Sequence, residues 1–376
     1  MKKNNKKTQE PTTVTRRQFI KQATAMGLSL TAATSLVANL VFPMDAVAAG
    51  LKLTIFLWSS GQWGTVGKET VAEFQKAHKD VSIEFYESSN AVTYPKMRAA
   101  KQANPDKPLV NFGYFNVAVT YKGDRDGMWL SLDEKRIPNM NDIIPAYHRP
   151  DNMGVSHSLS TLGLVYNTEK VKNPPTSWSD VWANKDFKGR VILFDYLWPY
   201  TGVLQAARLN GGSEKNPDPG FEIWSQNTDQ IFALVTSTAQ AQSLMAKGDA
   251  WLTVWTKSNQ KMWQEAGVPV EFVVPKEGVV AFPLFFQVVK GTTPAQKEVA
   301  ESIINMLLDP VSLARFCNLT GVAPTSVKVN LPAQMANDPA YQKETIENAI
   351  QLDWATIAVK DNEYREKWDR MVKAKL

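Results

Sequence analysis

The sequence predicts an α/β protein whose chain folds into two lobes. Two stretches, LKLTIFLW (51–58) and VSIEFYE (81–87), place apolar residues at every second position, as half-buried strands do. A helical pattern with Val71 and Phe74 on one face lies between them, so the three segments form a β-α-β unit with a parallel sheet. The chain is also too long for one core, because 328 of its 376 residues remain after an N-terminal leader of 48.

The remaining elements follow from the same patterns. A third apolar run at 108–115 follows a helix at 94–103 and continues the β-α-β order. Helical spacing returns at 295–316, where Asp309-Pro310 interrupts the pattern and starts a new helix. The stretch 346–374 is predicted to form terminal helices that pack on the second lobe. Further strands are predicted at 163–167, 189–195, 250–255, 269–275 and 279–289. No flexible tether divides the chain, so we expect it to cross between the lobes more than once.

The first 48 residues are interpreted as a signal peptide. A charged start is followed by an apolar stretch at 23–42 and by the small-x-small site Ala46-Val47-Ala48. The pair Arg16-Arg17, within TRRQFIK (15–21), matches the signal for twin-arginine export of folded proteins. We therefore expect cleavage near Ala48-Ala49 and a periplasmic product. A membrane anchor is the alternative, but Thr, Ser and Gly interrupt the apolar stretch.

The leader accounts for the positive charge of the chain. It holds seven of the 42 basic residues and two of the 37 acidic residues, which leaves 35 of each and a net charge of zero. The mature part therefore has no basic excess that would indicate nucleic acid or an anionic membrane surface as a partner. Cys317 is the only cysteine, so neither an intrachain disulfide nor lipid attachment at the cleavage site is expected.

Motifs that indicate catalysis or a cofactor do not occur in the sequence. The three histidines are widely spaced, and there is no HExxH, CxxC, Walker or GxGxxG motif. The stretch GVSHS (154–158) lacks the second glycine of a nucleophile elbow, and DRDG (124–127) is too short for a calcium loop. We interpret both as surface or turn segments, and we expect no enzyme activity, no cofactor and no metal.

One segment, 163–195, carries a more specific signal. Its motifs are YNTEKV (166–171), PTSW (175–178), DVW (180–182) and FKGRV (187–191). With VVPKEG (273–278) and INMLLDPVSLARF (304–316), it resembles the extracellular solute-binding proteins of ABC importers, and within them the spermidine/putrescine-binding-like cluster. The resemblance covers nearly all of 51–330. It implies the type II periplasmic binding protein fold, in which two α/β lobes joined by a hinge close on a ligand.

The resemblance also implies where the ligand contacts lie. In the polyamine binders, aromatic rings enclose the alkyl chain and carboxylates pair with the amines. The matching positions in this sequence are Trp58, Ser59 and Ser60 after the first strand, Tyr114 and Asn116 at the third, Asp195 after VILF, Trp255 at the end of WLTVW, and Phe282 at the second crossover. Asp195 is equally consistent with a helix N-cap or a surface ion pair. Trp178 and Trp182 are interpreted as packing residues, and Trp251 rather than Trp255 as core.

Departures from the polyamine pattern narrow the expected ligand. Pro283-Leu284-Phe285 stands where the polyamine binders carry an Asp, and Trp198-Pro199 stands where a second carboxylate is expected. One carboxylate, Asp195, remains of the usual set, so one positive group or a mostly neutral ligand suits the site better than a diamine or a longer polyamine. No Tyr-Tyr pair occurs, which disfavours ferric iron.

The sequence thus predicts a periplasmic substrate-binding component of an ABC importer. It is expected to capture a small organic solute, a cationic amine or polyamine-like compound, and to deliver it as a monomer to the membrane permease. The alternatives are an exported enzyme that folds around a cofactor before transport and a binding module that feeds a sensor. The predicted lobes are residues 49–156 plus 282–335 and residues 157–281 plus 336–376.

Overall fold

Within the described residues, eleven strands form one mixed sheet. The computed structural model describes residues 50–59, 61–195 and 198–376, with the backbone alone at 198 and 199. The signal-peptide interpretation therefore lies outside the described residues. The strands are β1 (Lys52–Trp58), β2 (Ser82–Ser88), β3 (Phe112–Asn116), β4 (Trp129–Leu130), β5 (Val155–Asn167), β6 (Val191–Phe194), β7 (Ile231–Val235), β8 (Leu252–Thr256), β9 (Val270–Val273), β10 (Val280–Val289) and β11 (Ala323–Pro324).

Helices alternate with the strands along the chain, as the patterns of the sequence predict. They are α1 (Thr65–Ala77), α2 (Asn90–Ala103), α3 (Val117–Arg125), α4 (Asp180–Ala183), α5 (Trp198–Leu209), α6 (Asp218–Gln226), α7 (Thr238–Lys247), α8 (Lys257–Glu265), α9 (Pro294–Leu307), α10 (Pro310–Thr320), α11 (Ala333–Ala336), α12 (Lys343–Glu347) and α13 (Trp354–Met371). Among these described helices, none is both long and apolar enough to cross a membrane.

The sheet consists of two groups of parallel strands joined by an antiparallel pair. Its order is β2-β1-β3-β10-β5-β8-β6-β7, with β4 on β10 and with β9 and β11 on β5. The pairs β1–β2, β1–β3, β6–β7 and β6–β8 are parallel, which confirms the predicted β-α-β order. The first part of β5 pairs with β10, and its last part pairs with β8 and β9. The chain therefore passes between the two groups through β5 and returns through β10.

The strand β5 is longer than the sequence indicates. We predicted a strand at 163–167, but β5 begins at Val155 and includes most of GVSHS, so the surface or turn interpretation of that stretch is wrong. Ser156, His157 and Ser158 are all buried. The reason for the error is physical, because a strand that is covered on both faces shows no alternation of apolar and polar residues.

Side-chain caps start the helices where the chain leaves a strand. Ser89 caps α2, Asn116 caps α3 and Thr256 caps α8, each by accepting a hydrogen bond from a backbone N–H of the first turn. Asp309 caps α10 and Pro310 is its first residue, which confirms the predicted interruption at this point. These caps fix helix N-termini beside the ends of the strands.

The segment that carries the most specific sequence motifs is a packing element. Trp178 and Trp182 are buried, as predicted. The indole nitrogen Nε1 of Trp178 donates to the carbonyl oxygen of Gly278 at 2.8 Å, and the Ser177 hydroxyl donates to the carboxylate of Glu277 at 2.5 Å. The motif PTSW is thus bonded directly to the later motif VVPKEG, which explains why both occur in one chain.

The terminal helix α13 contacts elements of both strand groups. Its first half packs against α3, where Lys122 pairs with Asp361 at 2.7 Å, and its second half packs against α6. There the ring of Trp368 contacts that of Trp224, with centroids 6.3 Å apart. The described residues belong to one compact unit. The lobe boundaries therefore remain a prediction, and α13 lies on elements of both predicted lobes.

Close packing of α6 against α5 requires glycine at position 220. A Cβ atom on Gly220 would meet the backbone carbonyl oxygen of Val203 and lie 2.9 Å from the backbone nitrogen of Ala207. Since these are backbone atoms, they cannot move aside. We expect Gly220→Ala to lower the free energy of unfolding by about 1–3 kcal/mol, measured by urea denaturation.

The matched control is Gly202→Ala in the facing helix α5. A Cβ atom there meets nothing closer than the Trp224 ring at 3.7 Å, so this variant should be at least as stable as the parent chain. Equal stabilities of the two variants would contradict the close approach of α5 and α6.

Candidate functional site

The parallel strands end on polar or aromatic residues that we predicted as ligand contacts. Strand β1 ends at Trp58, β3 at Asn116, and β6 is followed by Asp195. Ser59 is exposed, and its backbone N–H donates to the carbonyl oxygen of Ser88 at 3.1 Å, which ties the ends of β1 and β2 together. Ser60 lies outside the described residues.

Trp58 belongs to a cluster of aromatic rings at the end of β1. Its ring makes edge contacts with Trp63 and Tyr114, with centroids 5.0 Å and 5.8 Å apart. Tyr114 is buried, its hydroxyl oxygen has no hydrogen-bond partner among the described residues, and burial raises the pKa of this phenol. Gly67 leaves room for that hydroxyl, because a Cβ atom there would lie 2.8 Å from it. Two predicted contacts, Trp58 and Tyr114, are thus brought together.

His157 lies behind this cluster and is fully buried. Its ring stacks on Phe286 at 4.1 Å between centroids, and Nδ1 lies 3.0 Å from the hydroxyl oxygen of Ser158. Burial lowers the pKa of His157 to about 3, so the imidazole is neutral at physiological pH. The stretch GVSHS therefore places a neutral histidine in the core and offers no exposed nucleophile.

Asn116 and Phe282 are linked by contacts with residues of β10 and α13. Asn116 pairs in register with Leu284, two positions after Phe282. Phe282 is buried and meets the ring of Trp354 edge-on, with centroids 5.3 Å apart. Trp354 and Asn116 line the same cavity. Trp354, which the sequence analysis missed, thus contacts Phe282 and lines a cavity with Asn116, two residues that the sequence analysis predicted.

Asp195 is held by a cation from the end of the chain. Its Oδ2 accepts a hydrogen bond from Lys373 Nζ at 2.6 Å, and its side chain is 18% exposed. The second oxygen, Oδ1, is buried without a partner among the described residues. The ion pair agrees with one of the two alternatives that we weighed for Asp195, and it leaves one carboxylate oxygen available.

Trp255 belongs to a different core cluster from Phe282. It is fully buried and packs against Phe194 and Trp263, with centroids 5.5 Å and 5.4 Å apart. In this conformation it offers no surface to a solute. Trp251, interpreted as core, is half-buried, and Arg190 lies over its ring at 5.1 Å from the centroid.

A small cavity lies between the N-terminal turns of α2 and α3 and one face of α13. Its volume is ≈ 80 Å³. Four lining residues bear polar groups and were missed by the sequence analysis: Asn90, Lys122, Trp354 and Asp361. Asn90 follows the end of β2 and was open to the reasoning we applied to Asn116. The sequence carries no signal that would bring Trp354 or Asp361, from the last helix, to this place.

A metal site is not formed by the described parts of the chain. Across residues 50–59, 61–195 and 198–376, no group of three or more His, Cys, Asp or Glu side chains could hold a metal ion. The chemistry available at the strand ends is therefore that of aromatic surfaces, amide groups and one carboxylate, which suits non-covalent binding of a small molecule.

Comparison with known proteins places the chain among transport proteins. The family described as bacterial extracellular solute-binding protein matches residues 69–343. The putrescine-binding periplasmic protein PotF of Escherichia coli (strain K12) is 25% identical over 284 residues, which cover 69% of this chain and 73% of PotF.

Solved structures share the fold over most of the chain. An ABC transporter protein from Clostridium perfringens ATCC 13124 superimposes with a TM-score of 0.72 at 20% identity, covering 85% of this chain and 99% of that one. The spermidine/putrescine ABC transporter substrate-binding protein PotD from Streptococcus pneumoniae strain Canada MDR_19A gives 0.68 at 16% identity, covering 84% and 99%. These likenesses confirm the predicted two-lobe periplasmic binding protein fold.

The buried histidine generates a pH-dependent prediction. Because the unfolded chain protonates His157 near pH 6.5 and the folded chain only near pH 3, stability is lost as the pH falls through this window. Between pH 7 and pH 5, the free energy of unfolding should therefore fall by roughly 2 kcal/mol more in the parent chain than in His157→Phe. Chemical denaturation at both pH values measures this difference.

A second variant separates this effect from histidine substitution in general. His78 is partly exposed at the end of α1, so His78→Phe should keep the acid sensitivity of the parent chain. The same loss of stability in the parent chain and in His157→Phe would refute the assignment.

Proposed function

The chain belongs to the family of bacterial extracellular solute-binding proteins, which makes it the substrate-binding component of an ABC importer, and we propose that its solute is a small organic amine. The observation that carries the proposal is Asp195, a carboxylate at the end of a parallel strand with one buried oxygen, Oδ1, that has no partner among the described residues. An ammonium group is the complement of such an oxygen, because a charge-assisted hydrogen bond offsets the cost of burying it.

The aromatic residues at the strand ends support the same ligand class. Trp58 is half-buried at the end of β1, and Phe282 lies two positions from Leu284, which pairs with Asn116 at the end of β3. Faces of such rings attract cations and pack against short alkyl chains. PotF, the relative of 25% identity, is by its name a putrescine-binding protein, which also supports an amine.

A single carboxylate favours one amino group over two. The structure places Leu284 in register with Asn116 and buries it, so the segment Pro283-Leu284-Phe285 supplies no carboxylate at this end of the sheet. A diamine would then leave its second ammonium without a counter-charge in a buried site, which is costly. The solute that fits best therefore carries one ammonium group and not two.

Binding in this mechanism involves no bond formation or cleavage. The solute contributes contacts to both groups of strands, and this stabilises the closed arrangement of the two lobes. The permease then recognises the closed arrangement and accepts the solute. Lys373 forms an ion pair with Oδ2 of Asp195 in this conformation, so an incoming amine either donates a hydrogen bond to Oδ1 or displaces Lys373.

The leader supports a periplasmic location. Arg16-Arg17 and the site Ala46-Val47-Ala48 fit twin-arginine export followed by cleavage near Ala48-Ala49. The mature part has no net charge and the chain has no disulfide to form, so folding before export needs no oxidising compartment. We propose that the mature protein acts as a monomer that delivers its solute to the permease.

Substitutions at Asp195 test the amine. Asp195→Asn should weaken the binding of a primary monoamine such as butylamine by at least about tenfold, because it removes the negative charge that strengthens the hydrogen bond to the ammonium group. Lys373→Met should strengthen binding, because it removes the competing ammonium. Both effects are measured by titration calorimetry.

Asp186→Asn is the matched control, since this carboxylate is exposed and precedes β6, whereas Asp195 follows that strand. Its affinity for butylamine should equal that of the parent chain. If the parent chain binds neutral solutes but no amine, the ligand class is wrong; if it binds no small solute from a panel of amines, acids, amides and sugars, the proposed function is wrong.

Replacement of the arginine pair tests the export route. R16K/R17K should keep the protein in the cytoplasmic fraction, because the twin-arginine receptor reads the arginines themselves and not their charge. Cell fractionation and immunoblotting measure the distribution. The control K6R/K7R should be exported normally, and export of R16K/R17K at the normal level would exclude this route.

A further inference from the structure

The cavity between α2, α3 and α13 contains two buried polar atoms that lack partners. Trp354 is 5% exposed and its indole Nε1 has no hydrogen-bond partner among the described residues. Asn90 is 9% exposed, and its side-chain Oδ1 also lacks one. Both residues line the same cavity. An unpartnered buried polar group is costly, so the two together indicate a polar occupant.

Other buried indole groups do not share this setting. An Nε1 without a partner among the described residues also occurs in five tryptophans that do not line this cavity, Trp58, Trp224, Trp255, Trp263 and Trp368. Trp368 lies on the same helix as Trp354, at its other end. Trp354 therefore differs from the other buried indole groups, because its unpartnered donor lies in a cavity that also contains the unpartnered amide of Asn90.

The electrostatic setting of the cavity favours an oxygen that carries negative charge. The N-terminal turns of α2 and α3 both line it, and helix N-termini present partial positive charge and N–H groups. Trp354 Nε1–H is a donor only, and rotation of the Asn90 amide would add a second donor. The charged lining residues, Lys122 and Asp361, form an ion pair at 2.7 Å and cancel each other.

The size and charge of the cavity limit the group that fits. Its ≈ 80 Å³ is about half the ~150 Å³ of a cavity that holds benzene, which leaves room for a few heavy atoms. No unpaired cation occurs among the described lining residues, and the two helix N-termini contribute about half an elementary charge each, so one negative charge is the most that the surroundings balance. A carboxylate meets both limits, whereas a phosphate dianion exceeds the second.

We propose that this cavity is a binding subsite for the carboxylate group of a small organic acid, held by Trp354 and Asn90. The proposal rests on the function proposed above, that the chain captures a small solute, and not on the amine of that solute. Neither Asp195 nor Lys373 is among the described residues that line the cavity, so the cavity and Asp195 are separate contact points for a small molecule in this conformation.

Indole resonances of the protein labelled with 15N-tryptophan test the subsite. The resonance of Trp354 is assigned by its loss in Trp354→Phe, and butanoate, butylamine, butyramide and inorganic phosphate are added in turn to the mature protein. Butanoate should shift the Trp354 indole resonance downfield, as a new hydrogen bond does, and butylamine should not. Trp354→Phe and Asn90→Ala should each weaken butanoate binding by about tenfold.

Trp368→Phe is the matched control, because it removes an equally buried indole N–H from the same helix but away from the cavity. It should bind butanoate as the parent chain does. The carboxylate subsite would be overturned if butanoate did not shift the Trp354 resonance, or if Trp368→Phe lost as much butanoate affinity as Trp354→Phe. It would also be overturned if butyramide or phosphate bound as tightly as butanoate. If butylamine alone binds, the subsite fails while the proposed function stands; if no solute binds, both fail.

Discussion

The antiparallel pairing of β5 with β10 is the constraint on which the rest of the fold depends. Every residue of β10 and all but one of β5 are buried, so these strands hold their register by packing on both faces. Their register also sets the strand ends, since Leu284 pairs with Asn116 and Leu162 pairs with Thr256. A slip by one residue would turn each side chain to the opposite face and move the caps of α3 and α8. The positions of the helix N-termini therefore follow from this one pair.

The terminal helix α13 adds a second connection between the strand groups. Its first residue, Trp354, contacts Phe282, and the ion pair of Lys122 with Asp361 joins its middle to α3. Lys373, two residues after its end, pairs with Asp195. Contacts with both groups of strands thus come from one helix and the short segment that follows it.

Local patterns account for the parts of the fold that could be predicted. The parallel order of β1, β2 and β3, the interruption at Asp309-Pro310 and the packing of Trp178 depend on periodicity, capping and motif, which a short window of sequence contains. The start of β5 could not be predicted, because buried Ser156, His157 and Ser158 have a polar pattern typical of a loop. They are accommodated through partners elsewhere, such as the Thr325 hydroxyl, which donates to the carbonyl oxygen of Ser156 at 2.8 Å.

By itself the sequence determined the α/β class, the alternation of elements, the family motifs and the charge balance of residues 49–376, because each is a local pattern or a sum over residues. The tertiary structure alone decided which aromatic side chains are covered and which polar atoms remain without partners. Trp255 ends a strand as expected, yet Phe194 and Trp263 cover it. Asp195 meets Lys373 across 178 positions of sequence, and Trp354 reaches the cavity of Asn90 from the last helix. Such contacts join distant residues, and only the packed chain brings them together.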